Sequence, residues 1–294
     1  MAMEIKISQS PYEFDTDENG FPTFTRKNIN FLNAILRYDS NYSIASDRDN
    51  LEYQMSYAGI LEKENFFDFA ASEDAVKIDE LGNLVDDLYR AIVSIDAVNS
   101  THLASEGHKE KDNRGETQKN NKGRAKVAAR IREIGGQNLK ERLARGDAAL
   151  VSEIASSEVG GKHNFSFATK FCTYVSRHAL QRDCYCIYDE ILRSVLPYYG
   201  YMYIDDFCEN YAHLYKVIRA TRKNGYQSRK ESLVGQFKDN DDYEGYRTFI
   251  DAIIQGVREK VGETITYADF DHMVWYFFKS SKSKVLAAMN KIPD

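Results

Sequence analysis

Two residues of this chain have the types and spacing to do chemistry together: Lys170, in Phe167-Ala168-Thr169-Lys170-Phe171, and Asp189, in Ile187-Tyr188-Asp189. An amine that has shed its proton attacks an electrophilic carbon, and an ionised carboxylate beside it stabilises positive charge developing there. The two lie nineteen positions apart, in a stretch that reads helix, hairpin, helix, short extended piece and helix start. That order allows both to reach one cleft. Taken singly, Lys170 reads as a surface lysine and Asp189 as a helix cap, since aspartate is among the best N-cap residues.

The elements that must position the pair are legible. Residues 147–158 (DAALVSEIASSE) form an amphipathic helix with Leu150, Val151 and Ile154 on one side, followed by the hairpin Val159-Gly160-Gly161-Lys162-His163-Asn164. A second helix is expected from about Phe165 to His178, because Phe167, Phe171 and Val175 recur at helical spacing and Ala168 and Cys172 widen the stripe. Lys170 and Tyr174 are four apart and share a face offset from that stripe, so the lysine need not be buried in the core. Cys184-Tyr185-Cys186-Ile187-Tyr188 reads as a short extended piece, and Asp189 then stands before the apolar-periodic helix EILRSVL.

The rest of the chain reads as mainly α. Residues 1–100 form an N-terminal helical region, 101–122 a flexible polar loop with one leucine, 123–204 the basic helices and the core just described, and 205–294 a C-terminal region that again reads mostly helical. Thr266-Tyr267-Ala268-Asp269 has the form of a capping box opening the aromatic helix FDHMVWYFFK. Asp239-Asn240-Asp241-Asp242 reads as a polar turn before a helix, and strand signals are scarce.

Composition bounds the class of protein. With 43% hydrophobic and 29% charged residues in 294, the chain can bury a sizeable core. No apolar run long enough to cross a membrane and no export leader is seen, so the expected location is the cytoplasm and the four cysteines, Cys172, Cys184, Cys186 and Cys208, read as reduced thiols. Their spacing holds no C-x-x-C, so neither a metal site nor a cofactor is expected. The net charge of -6 argues against a uniformly basic nucleic-acid coat. Locally the balance reverses: from Gln118 to Arg145 nine basic residues, among them Lys119, Lys122, Arg124 and Lys126, face only Glu133 and Glu141. Such an excess suits phosphate contact.

A helix, a glycine-containing hairpin, a helix bearing Lys170, a short crossing and a helix capped by Asp189 together resemble the helix-hairpin-helix DNA glycosylase superfamily. Lyase-competent members such as the 8-oxoguanine glycosylases separate their lysine and aspartate as Lys170 and Asp189 are separated here. The resemblance covers about residues 147–197, and FDHMVWYFFKS is similar to the terminal helix of the bacterial 8-oxoguanine-glycosylase-like branch. It implies two packed helical subdomains around a DNA-binding cleft, double-stranded DNA as partner with no membrane and no obligate protein partner, and base flipping before excision. Lys170 and Asp189 would be catalytic, Tyr174 and Trp275 would stack on the flipped base, and Gly160, Gly161, Lys162, His163 and Asn164, with Lys122, Arg124 and Lys126, would meet the backbone. The substrate would be an oxidised purine or, as in antiviral bacterial members, a modified phage base such as glucosylated hydroxymethylcytosine. The chain departs from the family in the distance of Gly160-Gly161 from the lysine, in Ile191 where many relatives have histidine, and in lacking cluster-binding cysteines after the aspartate.

Two other classes fit parts of the chain. A non-catalytic DNA-binding module would keep the scaffold, with Lys170 a surface residue and Asp189 a cap. A metal-dependent nuclease would need clustered carboxylates, and Asp205-Asp206 and Asp239-Asn240-Asp241-Asp242 carry no recognisable nuclease spacing.

Overall fold

The computed structural model describes residues 14–38, 57–69, 86–99, 103, 122–157, 163–222, 225–279 and 281–293. Among them are thirteen helices and one two-stranded sheet. In chain order the elements are α1 (Arg26–Tyr38), α2 (Tyr57–Leu61), α3 (Asp87–Asn99), α4 (Lys122–Ile134), α5 (Gly136–Ala144), α6 (Ala148–Ala155), α7 (Phe165–Ala179), α8 (Glu190–Tyr203), α9 (Phe207–Asn210), β1 (Tyr215–Arg222), β2 (Gly225–Ser232), α10 (Gly235–Asp239), α11 (Tyr243–Val261), α12 (Tyr267–Phe278) and α13 (Lys282–Met289). The fold is mainly α. No described helix is long and apolar enough to cross a membrane.

Helix α7 is packed by α2, α3, α5 and α6, and α8 by α11, α12, α13 and β2. The hairpin residues Gly160, Gly161 and Lys162 lie outside the described residues, but its closure is seen: Asn164 N–H donates to the Ala155 carbonyl at 3.0 Å, tying the start of α7 to the end of α6. The caps follow the sequence. Asp147 accepts from Ala149 N–H at the head of α6, Asp242 from Gly245 N–H at the head of α11, and Thr266 with Asp269 makes the full capping box of α12. Gly262 ends α11 at φ +79°, the left-handed conformation that glycine adopts without a Cβ penalty.

Three expectations need correction. The tail is not uniformly helical, because β1 and β2 pair antiparallel from Tyr215↔Ser232 to Arg222↔Gly225. The sequence carries Asn224-Gly225, a dipeptide favoured near hairpin turns, between runs too polar to stand out. Lys170, which its spacing left free to lie at the surface and which read singly as a surface lysine, is buried, 8% exposed. An amphipathic stripe predicts one buried face, but α7 is packed on several sides, so Thr169, Lys170, Thr173 and Ser176 are buried with the apolar residues. The basic run, finally, is largely engaged within the fold. Arg124 pairs with buried Asp96 at 2.8 Å, Arg132 with Asp86, Arg142 with Asp147 at 2.7 Å and with Glu153, and Arg130 with Glu133 at 2.8 Å. Most of these acids lie outside the run, which is why its local charge overstated what it presents to solvent.

Residues 14–38 pack on the C-terminal half. Phe24 stacks on Phe270 at 5.3 Å and lies 5.4 Å from Tyr199, and Tyr198 donates to Asp17. Helix α11 crosses α8 closely at Gly256, where a Cβ would stand 1.9 Å from the Tyr203 carbonyl oxygen. An alanine usually stabilises a helix interior by ~1 kcal/mol over glycine. Here the sign reverses: Gly256→Ala is expected to lower stability by about 1–3 kcal/mol through overpacking, read as an earlier urea midpoint, and a midpoint equal to or above wild type would refute the close crossing.

Candidate active site

The segment from Arg182 to Asp189 joins α7 to α8 through the core without forming a helix or strand. Buried backbone groups there need partners, and hydroxyls supply several of them. Ser176 donates to the Arg182 carbonyl at 2.7 Å, Tyr243 accepts from Cys186 N–H at 2.9 Å and donates to its carbonyl at 3.2 Å, and Tyr246 donates to the Ile187 carbonyl at 2.7 Å. Tyr188 N–H donates to Thr169 Oγ1 at 3.1 Å. That last bond joins the immediate chain neighbours of Asp189 and Lys170, and the two side chains act on each other electrostatically.

Asp189 caps α8, with Oδ1 accepting from Leu192 N–H at 2.7 Å. Burial pulls the Lys170 amine below the ordinary lysine range, opposed by the negative charges of Asp189 and Asp271. Burial likewise pushes the Asp189 carboxyl up, opposed by the Leu192 N–H and by Lys170. Both shifts favour the neutral forms, as desolvation of charge requires.

The sequence reading missed the third member. Asp271, in α12, is 7% exposed, and its charge acts on both Lys170 and Asp189. Burial pushes it up to about 8, with Arg177 pulling it down and Asp189 and Asp183 pushing it further up. Its position is set by a relay of ion pairs. Arg177 of α7 binds Asp183 at 2.6 Å and stands 3.8 Å from Asp271, while Asp183 also accepts from Ala268 N–H, in the first turn of α12, at 2.9 Å. The signal was present: Asp271 shares a helical stripe with Val274 and Phe278, where a carboxylate has no structural reason to be.

The other expected residues are dispersed. Tyr174 is half-buried against Tyr57, ring centroids 4.8 Å apart. Trp275 lies one turn beyond Asp271 and lines a cleft with Glu190 and Ile191, under the Lys279 ammonium at 3.8 Å from its ring centroid. His163 is exposed and Asn164 bonds Ser157 at 3.2 Å. Lys126 is exposed on α4, Arg124 is held by Asp96, and the Lys122 side chain lies outside the described residues, as does Lys119. The four cysteines are free thiols, and no group of three metal-ligating side chains is found among the described residues.

The buried carboxyl of Asp271 makes stability depend on pH. The folded protein keeps that proton to about pH 8, whereas the unfolded chain releases it near the ordinary value of 3.8. The folded state therefore binds the extra proton within that window, and its stability falls as pH rises through it. Urea unfolding at pH 5 and pH 8 is expected to show wild type losing more stability between the two than Asp271→Asn; equal losses would remove the buried proton.

The HI_0787_N family model, described as an N-terminal domain, matches residues 82–179. The match ends on the last residue of α7, so it includes Lys170 but neither Asp189 nor Asp271. No curated protein and no solved structure matches the chain.

Proposed function

We propose that the protein is a DNA N-glycosylase of the helix-hairpin-helix kind, which flips out a modified or damaged base and cleaves its N-glycosidic bond. The observation that carries this reading is the buried Lys170 amine, held below the ordinary lysine range within electrostatic reach of Asp189. A desolvated lysine is the form that acts as a nucleophile near neutral pH. With Asp271 keeping its proton to about pH 8, Asp189 is the carboxylate left to face the amine. Two ionised carboxylates would instead hold the lysine protonated.

In the reaction, bond breaking leaves positive charge on the sugar; that charge and the Leu192 N–H favour the ionised form of Asp189 against its burial, and the carboxylate stabilises the sugar. The base departs with the bonding electron pair and takes up a proton, while the Lys170 nitrogen bonds to the sugar carbon and releases a proton to solvent. The sugar ring then opens as the C1′–O4′ bond breaks and O4′ takes up a proton, and the resulting Schiff base permits strand cleavage by elimination. Where Lys170 only orients water, the product is a plain abasic site. The helices around α7 and those around α8 are read as the two subdomains flanking the DNA, which is the double-stranded partner. An oxidised purine and a glucosylated hydroxymethylcytosine are the two substrate classes, for repair and for antiviral defence.

A second reading, a non-catalytic DNA-binding module, draws on the bond from Leu192 N–H to Asp189, which is all that a structural cap requires. One experiment separates them. Purified protein is incubated with labelled duplexes carrying 8-oxoguanine, uracil or glucosylated hydroxymethylcytosine, then treated with alkali or borohydride. The glycosylase reading expects alkali-labile sites that fall by about a hundredfold or more in Asp189→Asn, and a trapped adduct that is absent in Lys170→Ala. Because the amine is depressed, trapping is expected to persist to lower pH than an ordinary lysine allows. Bound DNA with no base released from any duplex would leave the binding module.

A further inference from the structure

A cleft of about 1120 Å³ lies between the first turn of α8, β2, the end of α12 and α13. It exceeds the ~300–1,000 Å³ usual for small-molecule sites, so a single base does not fill it. Aromatic Trp275 and Phe278 line it together with five cations, Arg193, Arg229, Lys230, Lys279 and Lys282, against three acids. This excess stands out in a chain of net charge -6. One of the acids, Glu231, is shared by Arg229 at 2.6 Å and Lys216 at 3.6 Å, so it does not cancel the group. Lys282 is exposed, and the Arg229 side chain is 54% exposed. Arg229 is paired with Glu231 yet open to solvent, whereas Arg124, Arg132 and Arg142 of the basic run are paired with acids and largely buried.

The cleft also adjoins the candidate site. It begins at Glu190 and Ile191, directly after Asp189, and Trp275 stands one helical turn from Asp271, on the same side of α12. Cations that follow a backbone, interleaved with aromatic faces on which bases stack, are the recurring equipment of single-strand sites. Lys279 over the Trp275 ring already pairs the two components.

We propose that this cleft binds a short run of unpaired nucleic acid, with bases stacked on Trp275 and phosphates met by Arg229, Lys279 and Lys282. The inference rests on the reading above only in taking nucleic acid as the ligand. It places the strand on the C-terminal half of the molecule, away from the basic run of α4 and α5.

Fluorescence anisotropy of the full chain with a labelled oligothymidylate, across a salt series, tests it. Arg229→Glu and Lys282→Glu are each expected to weaken binding about tenfold and to flatten its salt dependence. Trp275→Ala is expected to weaken binding with the salt slope unchanged, and Lys126→Glu to leave it near wild type. Undiminished binding in the Arg229 and Lys282 variants, or a loss confined to Lys126→Glu, would overturn the proposal. Base release, measured separately, tells the two readings apart. Strand binding that follows the cleft variants without base release keeps the cleft and removes the glycosylase, and base release with binding indifferent to those variants does the reverse.

Discussion

Everything at the centre of this molecule depends on how the irregular segment from Arg182 to Asp189 is allowed to pass through the core. A buried stretch with no ladder of its own would leave peptide groups without partners, each at a cost of about 1–3 kcal/mol. Ser176, Thr169, Tyr243 and Tyr246 answer those groups from α7 and α11. The same bonds that make the segment tolerable fix where it ends. Asp189 cannot move relative to Lys170 without breaking the link between Tyr188 and Thr169. Three buried tyrosines, Tyr185, Tyr243 and Tyr246, are thus both core and scaffold, their rings filling space and their hydroxyls answering backbone groups on this segment and its neighbours.

That scaffold creates an electrostatic problem beside it. An amine and two carboxyls share a volume from which water is largely excluded, and desolvation pushes each toward its neutral form. Arg177 and Asp183 bound the problem on one side, since they pair with each other and anchor α12 as well as facing Asp271. Polar groups with this degree of burial are held by covering them completely or by using them. The local rules of helix capping and apolar patterning are obeyed around this group, and the exceptions gather at Lys170 and Asp271.

Much of this was legible in the sequence, and what was not has physical reasons. Helices α6, α7 and α8, the cap at Asp189, the polar turn before α11 and the capping box at Thr266 follow from residue type and spacing, which are local. The burial of Lys170 was not legible, because a periodic stripe reports one apolar face and is silent on how many neighbours a helix acquires. Asp271 stood out only as a carboxylate on an apolar stripe, and the groups that give it meaning, on α7 and at Asp183, are distant in sequence. The basic run misled because charge counted along the chain ignores partners such as Asp86, Asp96 and Glu153. The hairpin β1–β2 was missed because its strands are polar and pair in only two layers of chain, so packing gives them no apolar alternation.

The clasp between the two ends of the chain bears on how the protein comes to exist. Tyr198 reaches back 181 residues to Asp17, and Asn33 meets Asp269 across 236. Contacts of such separation are slow to form, because the loop they close is long. Phe21 and Phe24 rest on Tyr198, Tyr199 and Tyr203 of α8 and on Phe270 and Phe278 of α12, so their partners are gathered only from segments far along the sequence. The helix that carries Asp271 within electrostatic reach of Lys170 therefore also supplies partners to residues 14–38, so the surroundings of the amine and the docking of that early segment draw on one element.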